Sequence, residues 1–196
     1  MNKPLVSPRA LVYQNPYQKI FRVEANFGQF SKEYYVLATG EKAGIVVIRE
    51  DQVLLVRQYR LLIDRMSWEI PGGKVESGEG IEDAARRECL EETGILCGDL
   101  VPLLAFHPTL DALHNPTHLY YGKVFDGKIG EADLSNEEVC GKEWIPLKMH
   151  FHDYIPNHCG QHVHHCTSVL QLLYSIEMTI CPIRHKPQYF LKQAKP

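Results

Sequence analysis

The chain has 196 residues, with 21 Lys+Arg against 24 Asp+Glu for a formal net charge of -3, and it is 44% hydrophobic and 23% charged. That length and balance suit one folded domain with its own core and exclude a disordered chain. No global basic field points to nucleic acid or a membrane surface, and no apolar window approaches the ~18 residues of a transmembrane helix.

The start, Met1-Asn2-Lys3-Pro4, runs into Ser, Pro and Arg without an apolar segment, so no secretory signal is expected. Six cysteines (Cys89, Cys97, Cys140, Cys159, Cys166, Cys181) lack paired spacing. Without an export signal the expectation is a cytoplasmic protein with reduced thiols.

In chain order, Ile20–Ala25 and Glu33–Leu37 read as strands of a hairpin turned at Asn26, Gly28 and Ser31. Ala43–Ile48 and Val53–Val56 form a second hairpin around Arg49-Glu50-Asp51-Gln52. Trp68-Glu69-Ile70 then enters the turn Pro71-Gly72-Gly73. Helical signals begin near Ser77 to Glu79, with Glu79, Glu82 and Asp83 suited to a helix N-terminus, and Gly94 stops the helix after Thr93. Val101–Phe106, Leu119–Phe125 and Trp144-Ile145 are further strands, and Ser168–Glu177 is a last helix. The pattern is a mixed sheet interrupted by one helix and closed by another.

The chemistry is concentrated between Gly73 and Ile95, which reads GKVESGEGIEDAARRECLEETGI. At about 100° per residue, Glu88 and Glu92 share one helix face, Glu91 flanks them, and Ile81, Ala84 and Ala85 lie on or beside that side. The carboxylates therefore point inward. Like charges at i, i+4 cost a few tenths of a kcal/mol even in water and about 1 kcal/mol or more once desolvated. A divalent cation reverses that sign. Oxygen-only ligands without a nearby His or Cys suit Mg²⁺ or Mn²⁺ over zinc, and a backbone carbonyl at Gly72-Gly73 can complete the coordination. Arg87 and Glu91 are one turn apart, so Arg87 can hold Glu91 in place.

This stretch resembles the signature of the Nudix hydrolases, with Gly73, Glu79, Arg87, Glu88, Glu91, Glu92 and Gly94 at its charged and glycine positions and Cys89 where a larger apolar residue is usual. The resemblance implies an α/β fold, the Nudix α/β/α sandwich with a mixed central sheet, and Mg²⁺-dependent hydrolysis of a nucleoside diphosphate linked to another moiety. The metal set is then Gly72 (carbonyl), Glu88 and Glu92. Upstream, Val56-Arg57-Gln58-Tyr59-Arg60 and Trp68-Glu69-Ile70-Pro71 are similar to the branch that cleaves ADP-ribose and nucleotide sugars. That branch carries an N-terminal antiparallel strand region, often exchanged across a homodimer. The implied layout is 1–42 for that region, 43–180 for the Nudix domain and 181–196 for a tail.

In the same branch a further Glu from a loop before the last sheet strand helps bind metal or activates the water. Its match is Glu138, ahead of Glu137, by the offset to Trp144-Ile145-Pro146-Leu147. Arg57, Arg60 and Glu69 are candidate substrate contacts, the arginines because a planar guanidinium suits a diphosphate. Tyr17 is a candidate to stack on a base across the dimer. Where ADP-ribose-cleaving members carry a Ser-Pro-Gly-type segment, this chain reads His107-Pro108-Thr109-Leu110-Asp111-Ala112, which leaves the wider sugar-nucleotide class as the expectation.

The expected function is hydrolysis of a nucleoside diphosphate sugar, ADP-ribose or similar, to a nucleoside monophosphate and a sugar phosphate. Glu138, Glu91 and Arg87 are the catalytic candidates, and neither nucleic acid nor membrane is a partner. The alternatives are cleavage of another nucleoside diphosphate derivative (a dinucleoside polyphosphate or NADH) and a nucleotide-sugar-sensing module. The His- and Cys-rich run from His150 to Cys166 lacks the two-plus-two spacing of a zinc site and reads as a polar loop.

Overall fold

The computed structural model describes residues 3–129 and 139–147. It contains twelve strands and one α-helix in the order β1 (Leu5–Val6), β2 (Ala10–Gln14), β3 (Lys19–Asn26), β4 (Ser31–Ala38), β5 (Lys42–Arg49), β6 (Gln52–Arg60), β7 (Arg65–Glu69), β8 (Gly72–Lys74), α1 (Ile81–Thr93), β9 (Ile95–Phe106), β10 (Leu113–His114), β11 (Thr117–Ile129) and β12 (Val139–Pro146). The expected hairpins are β3–β4 and β5–β6, and the expected later strands all form. The last helix, Ser168–Glu177, lies outside the described residues.

The strands make two sheets. The first has five strands: β3 pairs antiparallel with β4 on one side and with both β1 and β2 on the other. Within residues 1–42 every strand pair is antiparallel, as expected, and β10, from much later in the chain, joins the edge of β4 in parallel. The second sheet has seven strands in the order β12-β6-β5-β11-β9, with β7 added to β6 and β8 to β5. Its β5–β11 pair is parallel and the others are antiparallel, so the sheet is mixed as expected.

The β5–β6 hairpin is paired only at its closed end, Ile48 with Val53 and Arg49 with Gln52. Beyond that its arms part. Each arm takes a new edge strand: β8 lies along Lys42–Gly44 of β5, and β7 along Val56–Arg60 of β6.

Alternation along β5 and β6 sends side chains to two cores, one on each face of the sheet. Ile45, Val47 and Leu54 pack with Ala84, Ala85 and Cys89 of α1, while Val46, Ile48, Val53 and Leu55 pack with Trp68, Tyr121 and Ile145. Small residues on the inner face of α1 bring it close to β5. The helix starts at Ile81, two to four residues later than expected. Gly80 is still extended (φ −72°, ψ 143°), and the Glu79 carboxylate turns back to accept from the Glu76 amide, so neither residue is helical. It ends as expected, with Gly94 in the left-handed region (φ 68°) donating its amide to the Leu90 carbonyl.

Candidate active site

The inner face of α1 carries Glu88 and Glu92, only 8% and 3% exposed. Two buried carboxylates on one helix are tolerable only if donors meet them. Glu92 reaches into the gap between the parted arms of the β5–β6 hairpin. There the Gln58 side-chain amide donates to its Oε1 (2.9 Å) and the Gly72 amide to its Oε2 (3.0 Å). Gly72 is free to do so because its register opposite Gly44 sends the Ile45 amide to the Pro71 carbonyl, turning the polar groups of Gly72 away from β5.

Glu88 lies over the next residue of β8. A Cβ on Gly73 would stand 2.4 Å from the Glu88 carboxyl carbon, and one on Gly72 only 2.5 Å from the Ala43 carbonyl oxygen. Neighbouring backbone leaves no room for a side chain at Gly72, while at Gly73 a side chain would displace the Glu88 carboxylate.

Arg87 ties the remaining acids together with five hydrogen bonds. It grips Glu79 bidentately (2.8 and 3.0 Å), donates to Glu88 (3.0 Å) and Glu91 (2.9 Å), and reaches the Lys74 carbonyl (3.0 Å). The Arg87 bond, aided by the Glu76 amide, holds the Glu79 carboxyl at about 2. In return, Glu79 first and Glu91 and Glu88 after it push the guanidinium further above its ordinary value. Every guanidinium hydrogen of Arg87 is thus directed at a protein oxygen.

These groups border an open cleft of about 590 Å³ lined by Lys74, Glu76, Ser77, Arg87, Glu88 and Glu91. Among the described residues no three His, Cys, Asp or Glu side chains form a ready-made metal cage. Mg²⁺ does not need one: it is commonly held by one or two carboxylates, with waters and substrate phosphates filling its shell. A Glu88 carboxylate seated on bare backbone at the cleft wall, with Glu91 beside it, is a hard-oxygen donor set that fits such an ion.

The other sequence candidates fall in different places. Arg57 and Arg60 lie on opposite faces of β6. Arg60 shares the face of Leu54 and Gln58, and its guanidinium is clamped bidentately by Glu69, both bonds 2.7 Å. Burial would raise the Glu69 pKa, but the Arg60 bond and charge, helped by Ser67, hold it below the usual carboxylate range. Arg57 instead lies over the Trp68 ring on the far side, 5.8 Å from its centroid. Tyr17 is 81% exposed on the turn between β2 and β3, in the five-stranded sheet and not in the sheet that faces α1. Glu138 is outside the described residues. Its chain neighbour Val139 is paired with Gln58, whose side chain holds Glu92.

Two contacts escape sequence reading. Gln58 is buried at 5% exposure, and its signal is an uncharged polar residue at a strand position whose period-2 neighbours are core. Lys142 on β12 donates its ammonium to the Thr93 carbonyl at the C-terminal end of α1, where a cation offsets the helix dipole. Nothing within α1 signals it, since no basic residue occupies the last turn.

A strand-splayed mixed sheet with an acidic helix laid across its gap defines a class, and the family comparison agrees. Residues 38–158 match the NUDIX domain, and the chain belongs to that family. Among curated relatives it is 35% identical over 116 residues to a methanol dehydrogenase activator of Bacillus methanolicus and 31% identical over 116 residues to an ADP-ribose pyrophosphatase of Bacillus subtilis. Each alignment takes in 59% of this chain and 63% of the relative. A CMP-5'-(N-acetyl-N-hydroxy-3-aminopropyl)phosphonate hydrolase of Streptomyces rubellomurinus is 30% identical over 127 residues, 64% of this chain and 60% of that one. The chain thus spans less than two thirds of the length of these relatives. A crystal structure of an ADP compounds hydrolase shares the fold, with a TM-score of 0.74 at 18% identity over 93% of this chain and 97% of that one.

Proposed function

We propose that the chain hydrolyses the pyrophosphate bond of a nucleoside diphosphate sugar, ADP-ribose or a close analogue, giving a nucleoside monophosphate and a sugar phosphate. The observation that carries this reading is the Glu88 carboxylate seated on Gly73 at the wall of the acidic cleft, backed by Glu92 and steadied by Arg87. Relatives named for ADP-ribose and for a cytidylyl phosphonate support a nucleotide joined through phosphorus to a second group.

Glu88, Glu92 and the Gly72 carbonyl would hold Mg²⁺, with Mn²⁺ as a substitute. Such an ion supplies a Lewis acid for the phosphoryl oxygens and lowers the pKa of a bound water. Arg87 keeps Glu88 and Glu91 in place. Glu138, which precedes Val139 in the chain, would orient the attacking water or take its proton. Arg60, already oriented by Glu69 on the α1 face of β6, is the better placed of the two arginines to meet a phosphate. Arg57 has the opposite face.

The N-terminal region, 1–42, would form a homodimer through its exposed apolar residues, bringing Tyr17 to a base held by the partner. Light scattering at micromolar concentration is expected to report a dimer, and a fully active monomer would remove this part. The reaction is tested by a panel of nucleotide sugars, NADH and dinucleoside polyphosphates with Mg²⁺, reading product masses. A nucleoside monophosphate and a sugar phosphate are expected. Turnover of other panel members with none of the sugars would overturn the substrate class.

A further inference from the structure

The residues that bind nothing in the proposed mechanism include one in direct contact with its acids. Gln58 is buried, sits at the open end of β6, and places its amide 2.9 Å from Glu92 Oε1 while the Gly72 amide takes Oε2 at 3.0 Å. These two donors come from different strands: β6 is one arm of the hairpin, and β8 is laid along the other arm, β5. Glu92 therefore bridges the gap, and its direction is set from both sides. Glu88 has a different setting. It lines the cleft and is held by Arg87, a neighbour on its own helix.

We infer that Gln58 is a positioning residue for the metal centre: it acts through Glu92, fixing the orientation of that carboxylate toward the cation. The inference rests on the proposed role of Glu92 as a metal ligand. Glutamine meets the requirement in three ways. Its amide donates to a carboxylate without adding a second negative charge beside it, as Glu would. It carries no positive charge to compete with a cation, as Lys or Arg would. Its length spans from the strand to Glu92 while Leu54 and Val56, on the same face, stay in the core. The register adds a further reason for this position. Gln58 is opposite Val139, so the strand that carries the Gln58 amide also anchors the chain immediately after Glu138.

Partners of ligating carboxylates typically contribute about 10–100-fold to metal affinity. Gln58→Met keeps length and burial but removes the donor, and Gln58→Asn keeps an amide but withdraws it by one methylene. The test is Mn²⁺ binding to the protein without substrate, by electron paramagnetic resonance or calorimetry, alongside the Mg²⁺ dependence of turnover. Wild-type protein is expected to bind Mn²⁺, and Glu88→Gln to bind it much more weakly. Gln58→Met should weaken binding by about 10–100-fold, with Gln58→Asn in the same direction. Raising Mg²⁺ should restore most of kcat in both Gln58 variants, which a general loss of packing would not allow. If Glu88→Gln weakens Mn²⁺ binding but both Gln58 variants bind like wild type, this inference is wrong and the metal assignment stands. If wild type does not bind Mn²⁺, or Glu88→Gln changes nothing, the metal assignment itself fails and takes the role of Gln58 with it. Should Gln58→Met not fold, Gln58→Asn alone decides.

Discussion

On the α1 face of the seven-stranded sheet, charged groups are buried and answered: Glu92 has donors from two strands, and Arg87 spends all five of its hydrogens on protein oxygens. On the five-stranded sheet the reverse holds, and apolar groups are left outside. Leu11, Val12, Tyr13, Phe30 and Tyr35 are each about half exposed, and its Arg22–Glu33 pair, 3.5 Å apart, is solvated on both sides. The first region shows what burying carboxylates costs, met by a dense set of short hydrogen bonds. The second leaves apolar area in solvent, and its exposed ion pair contributes only about 0–1 kcal/mol. On the proposed reading, chemistry belongs to one sheet and assembly to the other.

That separation can be broken at its strongest point first. If Glu138 activates the water, Glu138→Gln should lower kcat by roughly two to four decades with little change in KM, and Glu137→Gln should do much less. The reverse ranking would give that role to Glu137. Loss from neither would move water activation to Glu91.

The two glycines of β8 sharpen the comparison within the site. The nearest atoms to a Cβ on Gly73 are the flexible end of Glu88, so Gly73→Ala should fold normally yet misplace the carboxylate, with a turnover loss of about 10²-fold. A Cβ on Gly72 would meet the backbone of Ala43 and Gly44, so Gly72→Ala should also cost about 1–3 kcal/mol of stability. Paired denaturation curves and kinetics separate the two. Equal stability loss at both positions would contradict the account of the Glu88 seat.

A smaller effect is expected from pH. Glu79 is held at about 2 by Arg87, below its ordinary 4.5, so its contribution to stability is present above 4.5 and is lost as pH falls toward 2. The melting-temperature gap between wild type and Glu79→Gln should therefore be full at neutral pH and close across that window. A gap that persists unchanged to pH 2 would show that the ion pair is not its source.

Much of this was legible in the sequence wherever the physics is local. The Gly94 stop, the shared face of Glu88 and Glu92 and the reach of Arg87 to Glu91 all follow from helix periodicity. The hairpins follow from turn residues between β-prone runs. What stayed hidden depends on segments meeting from afar. The parting of β5 and β6 is invisible until β7 and β8 claim the free edges. Gln58 carries no charge to mark it, and Lys142 reaches α1 from a strand 49 residues further along. Likewise, the opposed faces of Arg57 and Arg60 are legible from their odd spacing. Which face meets the acids is not, because that depends on where α1 lies.

The central claim is that Glu88 holds the cation on which catalysis depends, and the most direct measurement is steady-state turnover of Glu88→Gln at saturating Mg²⁺, with circular dichroism as the fold check. A lost carboxylate ligand removes several kcal/mol of transition-state stabilisation, so turnover should fall by at least about two decades while the spectrum is unchanged. Turnover within about threefold of wild type, under a kcal/mol on the same scale, would contradict the account.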